Sequence, residues 1–166
     1  QPLGLDGNDE EQQKLQDNMQ EVQNGITTIC KTASEERRDY TAQEIQQLDE
    51  YFQKLNELNK QQLGVQQSML QAMGSAAAQE LESFNGSIEE YNVLSQRWIA
   101  TAQEQADNVI QIAEQQYLTE VALATQAYGE KGEKDKAAYD AAIATAQQRK
   151  EEAIANAQEE VGMVSS

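Results

Sequence analysis

The sequence predicts an all-α protein, its long amphipathic helices arranged as a helical hairpin, a coiled coil or an elongated helical bundle. Three observations carry this expectation. The single proline, Pro2, lies at the very start, so no interior position forbids helix. Glutamine makes up about one residue in six and is joined by Ala, Glu and Leu, residues with a low cost of entering a helix. Apolar residues recur at spacings of three and four along most of the chain, and the period-two alternation of strands is absent.

The elements follow in order. Residues 1–8 read as a flexible acidic arm or tag remnant. A short heptad helix is expected over 9–33, where Leu15, Met19, Val22, Ile26, Ile29 and Ala33 step by four and three and keep one seam facing a partner helix. Gly25 lies inside that seam and weakens it. The polar run from Ser34 to Asp39 interrupts the pattern, and Thr41-Ala42-Gln43-Glu44 then fits a capping box. In that box the Thr41 hydroxyl accepts from the N–H of Glu44, and the Glu44 carboxylate accepts from the N–H of Thr41. Tyr40 and Ile45 are spaced for a hydrophobic staple.

A long helix over 41–84 carries the stripe Ile45, Leu48, Phe52, Leu55 and Leu58, continued through Leu63, Leu70 and Leu81 and weakened by Gly64 and Gly74. Asn85 and Gly86 form a hinge, with Gly86 expected in the left-handed conformation, and Ser87-Ile88-Glu89-Glu90 is a second capping box. The next long helix, 87–128, has Ile88, Tyr91, Leu94 or Ser95, Trp98, Ala102, Ala106, Val109, Ala113, Tyr117, Val121, Ala124 and Tyr128 on one face. Gly129 to Lys134 is a polar turn, and an Ala-rich helix over 133–162 uses Tyr139, Ile143, Ala146, Ile154, Ala157 and Val161.

Composition excludes several functions. The chain has 29 acids, 12 bases and a net charge of -17, and no region is basic, so direct binding to nucleic acid or anionic lipid is disfavoured. Its longest apolar runs fall far short of the ~20 residues a membrane span requires. A lone cysteine, Cys30, forms no internal disulfide, fits a reducing compartment and reads as a small semi-buried residue beside the first seam. There is no histidine, and no nucleophile–base set suggests itself. Adjacent pairs such as Glu35-Glu36 and Glu159-Glu160 diverge around a helix and share no site. Asp6 to Asp17 echoes a calcium loop, but Glu11 replaces the required glycine, so a solvated acidic arm is the better reading. Trp98 and the tyrosines fit helix contacts better than a ligand cage. The sequence therefore predicts no enzyme, cofactor or metal site. Its candidate interaction residues are Leu15, Met19, Val22, Ile26, Ile29, Ile45, Leu48, Phe52, Leu55, Ile88, Tyr91, Trp98, Val109 and Tyr117, with protein partners and self-association through these seams.

The run Ala33-Ser34-Glu35-Glu36-Arg37-Arg38-Asp39-Tyr40-Thr41-Ala42-Gln43-Glu44-Ile45, leading into Leu48, Tyr51 and Leu55, resembles a recurring element of tail tape measure proteins of phages infecting Gram-positive bacteria. Arg38 and Ala42 depart from the acidic or glycine residues of that element. The Ala-rich helix around Tyr117, the Gly-Glu-Lys turn, Tyr139 and the Arg149-Lys150-Glu151-Glu152-Ala153 run are also similar to the polar helical middle of such proteins. The resemblance implies a non-catalytic rod that sets tail length, located in the virion tail lumen or the host cytoplasm. The alternative from a different class is a helical protein-binding module of a bacterial surface or secreted protein.

Overall fold

The computed structural model describes residues 5–129 and 135–165, with side chains from Glu10 onward. Four helices follow one another: α1 (Leu5–Glu35), α2 (Ala42–Glu82), α3 (Ile88–Tyr128) and α4 (Lys136–Ser165). Among the described residues there is no strand, and the all-α expectation holds. The first helix begins at Leu5, so residues 5–8 belong to α1 rather than to a flexible arm, and the Asp6–Asp17 segment is helical, not a calcium loop. Residues 1–4 of the expected arm, and the expected polar turn beyond Gly129, lie outside the described residues.

The chain divides into two compact units. Unit 1 comprises Gln1–Gln62 with Gln116–Gln148; unit 2 comprises Leu63–Gln115 with Arg149–Ser166. Unit 1 is a bundle of α1 and parts of the other three helices around Leu15, Val22, Ile26, Ile29, Leu48, Leu55, Leu58 and Leu123. The heptad spacing of α1 explains its share of that core, since Val22 and Ile26 are 2% and 0% exposed. Unit 2 packs segments of α2, α3 and α4 around Leu63, Leu70, Val109 and small residues, among them Ala102, Ala106, Ala113, Ala153 and Ala157. Alanines let helix axes approach closely with no side-chain entropy to lose, though each buries little area.

Helix ends follow from local chemistry. The Thr41 box forms as expected: the N–H of Glu44 donates to Thr41 Oγ1 at 3.1 Å and the N–H of Thr41 to Glu44 Oε1 at 3.0 Å. Ser87 caps α3, accepting from the N–H of Glu90 at 3.1 Å, and its hydroxyl donates to Glu90 Oε1 at 3.0 Å. Asp135 caps α4 by accepting from the N–H of Ala138 at 3.0 Å, so that helix starts at Lys136 rather than 133. At the end of α1, the N–H of Arg37 donates to Ser34 O and that of Arg38 to Ala33 O, both at 3.1 Å. This is the paired closure in which the residue beyond the helix turns left-handed, and here it is Arg37, at φ 52°. Gly129 closes α3 at φ 83°.

The joint between α2 and α3 is a true break but not the one expected. Gly86 is not in the left-handed region. Its lack of a side chain is needed for space, because a Cβ there would lie 2.5 Å from Cζ of Phe84. Phe84 in turn meets Tyr91 edge-on, with ring centroids 5.9 Å apart at 65°.

Candidate functional site

Among the described residues the buried polar or charged side chains are Asn59, Gln105, Gln116, Glu120 and Arg149, and the first four bond across to a neighbouring helix. In unit 1, Asn59 and Glu120 are 2% and 4% exposed, and the Asn59 amide nitrogen donates to Glu120 Oε1. Gln116, itself buried, donates from Nε2 to the Asn59 carbonyl at 3.1 Å and to Gln62 Oε1 at 2.8 Å. Unit 2 repeats the device: Gln105 Nε2 donates to Gln66 Oε1 at 3.1 Å and approaches the Gln66 carbonyl at 3.4 Å. A helix-interior carbonyl has a second lone pair, so an amide from a neighbouring helix can bond it without breaking the i→i−4 ladder. These amides orient helices; none is a nucleophile or a proton-transfer group.

A second polar group joins the α1–α2 connection to the end of α3. The Tyr40 hydroxyl donates to the Ala127 carbonyl at 2.5 Å, one of the four acceptors that a helix C-terminus leaves open. It also lies 3.5 Å from Sγ of the buried Cys30. Burial, with the Cys30 contact second, pushes the Tyr40 phenol well above its ordinary range. Burial likewise pushes Tyr128 up to about 12, aided by the charges of Asp49 and Asp135. Both phenols stay neutral and serve as packing groups, Tyr128 at 5.5 Å from the ring of Phe52.

Beside them, Arg38 forks onto Glu44, Nη1 to Oε1 at 2.7 Å and Nη2 to Oε2 at 3.0 Å, while its Nε reaches Glu36 at 2.9 Å. The Arg38 hydrogen bonds, then the N–H of Thr41, hold the Glu44 carboxyl down at about 2. The guanidinium is correspondingly stabilised in its charged form by Glu44 and Glu36.

Unit 1 also has a cleft of about 410 Å³ whose walls include Phe52, Asn56, Glu57, Glu120, Tyr128 and Thr145. Its carboxylates, Asp49, Glu57 and Glu120, face no histidine, lysine or cysteine in the lining, and its hydroxyl groups are those of Tyr128 and Thr145. Among the described residues, no group of three or more His, Cys, Asp or Glu could hold a metal ion. No helix among them is long and apolar enough to cross a membrane.

Of the seam residues expected from sequence, Leu15, Val22, Ile26, Ile29, Leu48, Leu55 and Val109 are buried, and Met19, Phe52, Trp98 and Tyr117 are half-buried. The other three are exposed. Ile45 is 49% exposed, Ile88 76% and Tyr91 36%, because they lie in first turns where neighbouring helices do not cover them. In α3 full burial begins only at Ala102. The expected staple therefore fails: Tyr40 packs into the core of unit 1 while Ile45 faces solvent. The α1 seam is filled from within the chain, so it offers no free apolar face for a second copy.

Sequence reasoning missed Asn59, Gln105, Gln116 and Glu120, and a signal for the last two was present. From Ala102 onward the buried positions of α3 include 102, 106, 109, 113, 116, 120, 123 and 127, spaced by four and three, with 105, 124 and 128 buried beside them. Following apolar type in place of spacing led to Tyr117 and Val121, one position off. No family model, no curated protein and no solved structure matches the chain.

Proposed function

We propose that this chain is a non-catalytic structural segment that works through helix–helix contact, and that its parent is a tail tape measure protein of a phage or prophage of Gram-positive bacteria. One observation carries the structural half of the reading. Four of the buried polar groups, Asn59, Gln105, Gln116 and Glu120, are bound into contacts between helices. A protein selected to be a spacer needs helices that hold one another and tolerate water along their length, which a Gln- and Ala-rich sequence provides. The resemblance running from Ala33 to Leu55 supplies the parent and, with it, the tail lumen as location. Because the α1 seam is filled internally, the reading does not require self-association.

The decisive experiment is an in-frame deletion of Ala42–Tyr128 from the parent gene, with tail length measured by electron microscopy. A length-setting segment shortens the tail, by up to roughly 130 Å if the helices lie end to end at 1.5 Å per residue and by less if they fold back in the assembled tail. Tails of unchanged length remove the proposal. A secretion signal or wall anchor upstream in the parent would favour the binding-module reading instead.

A further inference from the structure

We propose that the α2–α3 turn is a docking knob for a partner protein presenting an apolar pocket rimmed by lysine or arginine. The inference goes beyond the structural role and depends on neither reading of the parent. It starts from order in an exposed place. Phe84 rests on the backbone at Gly86, where a Cβ would come within 2.5 Å of its ring, and Tyr91 meets that ring edge-on. The turn is thus held by its own aromatic pair. Ile88, one helical turn before Tyr91, is left 76% exposed, more than Ile45, Val93, Leu118 or Met163. A pre-ordered aromatic pair beside a bared aliphatic side chain loses little entropy on burial, the property that makes interface anchors effective.

Charge selects the occupant. Glu80, Glu82, Glu89 and Glu90 flank the turn, and the chain has no Lys or Arg between Lys60 and Arg97. The Glu90 carboxylate lies beside the knob itself, 3.2 Å from where a Cβ at Gly86 would stand. A second copy docking knob to knob would set these carboxylates against their own kind, and an anionic lipid surface or a nucleic acid would repel them similarly. A basic rim around an apolar pocket complements them and raises the association rate.

The test titrates the whole chain against a fluorescently labelled amphipathic helical peptide of leucine and lysine, read by anisotropy at physiological salt, with leucine–glutamate and serine–lysine peptides in parallel. The expected result is binding of the leucine–lysine peptide alone. Ile88→Ser should weaken it about tenfold, the loss of one buried aliphatic side chain. Glu82→Gln with Glu89→Gln should weaken it several-fold and flatten its salt dependence, while Leu118→Ser, at an exposed aliphatic position elsewhere, leaves it unchanged. Far-ultraviolet circular dichroism checks that each variant is folded, and Tyr91→Ser gives a second lesion in the knob. The proposal is overturned if the leucine–lysine peptide fails to bind, if Ile88→Ser binds as tightly as the parent, or if Leu118→Ser is equally impaired. It is also overturned if the leucine–glutamate peptide binds as well. Ile88-dependent sedimentation as a dimer, or Ile88-dependent binding to neutral phosphatidylcholine vesicles, would replace the basic partner with a second copy or a lipid.

Discussion

Two glycines inside helices should respond differently to the same substitution. Gly25 lies in the middle of α1 and Gly64 in the middle of α2, so by helix propensity alone alanine at either should stabilise by about 1 kcal/mol. The surroundings differ. A Cβ at Gly64 meets nothing within 4 Å, and the full gain is expected there. A Cβ at Gly25 would lie 2.6, 2.8 and 2.9 Å from Cζ, Cε2 and Oη of Tyr51, well inside ordinary contact. The ring would have to retreat from a partly buried seat at the core of unit 1, and overpacking of that kind costs about 1–3 kcal/mol. Gly25→Ala is therefore expected to be neutral to about 2 kcal/mol destabilising, the propensity gain offsetting part of the clash. Urea denaturation followed by both circular dichroism and intrinsic fluorescence measures the difference. In a Tyr51→Ala background the clash is gone, and Gly25→Ala should regain the stabilising sign. If Gly25→Ala raises the midpoint of the otherwise unaltered chain as much as Gly64→Ala does, Tyr51 is not seated against α1 and the explanation of this glycine is wrong.

Other outcomes follow from the helix ends and the turn. Arg37→Gly should raise the melting temperature by relieving a left-handed non-glycine residue, a gain of about 1 kcal/mol; a lower melting temperature would mean that the α1 end is not closed in this way. Gly86→Ala should lower stability by about 1–3 kcal/mol with Phe84 present and have little effect in Phe84→Ala, as a double-mutant cycle measures; an undiminished cost without Phe84 would point to backbone strain. Glu44 should make stability pH-dependent. Its folded-state value of about 2 lies below the ordinary 4.5, so its contribution is complete above pH 4.5 and is lost as pH falls towards 2. The stability difference between the parent and Glu44→Gln should shrink across that window, and a difference that stays constant from pH 7 to pH 2 contradicts the Arg38 clamp.

Much of the fold was legible because large apolar residues and capping side chains report local rules. Leu15 to Ala33 mark their own seam by spacing, and Thr41 with Glu44 names a helix start by residue type alone. The turn was harder. Asn85-Gly86 has the composition of a left-handed stop, yet among the described residues the left-handed ones are Arg37 and Gly129, and the role of Gly86 depends on where the Phe84 ring lies. In the sequence Arg38 stands out only as part of a polar run and a departure from a family pattern, whereas its fork onto Glu44 depends on the shape of the α1–α2 connection. The buried seam of α3 was written in the spacing through Gln116 and Glu120, but hydrophobicity outweighed periodicity there. Ile88 and Tyr91 share a stripe with buried residues without being covered, because a period identifies a face and says nothing about how far a neighbour extends along it.

The amide contacts between helices bear on alignment. Alanine seams such as Ala102, Ala106 and Ala113 look nearly the same after a slip of one heptad, so packing alone discriminates weakly between the native pairing of helices and a shifted one. Gln116, bonded at once to the Asn59 carbonyl and the Gln62 side chain, would be carried by such a slip about 10 Å along its neighbour. Asn59 and Glu120 would then face apolar groups with their hydrogen bonds unmade, a penalty of about 1–3 kcal/mol for each polar group left unsatisfied. In a chain built of near-repeating small residues, these few amides and one carboxylate act as the index marks that keep each helix from sliding.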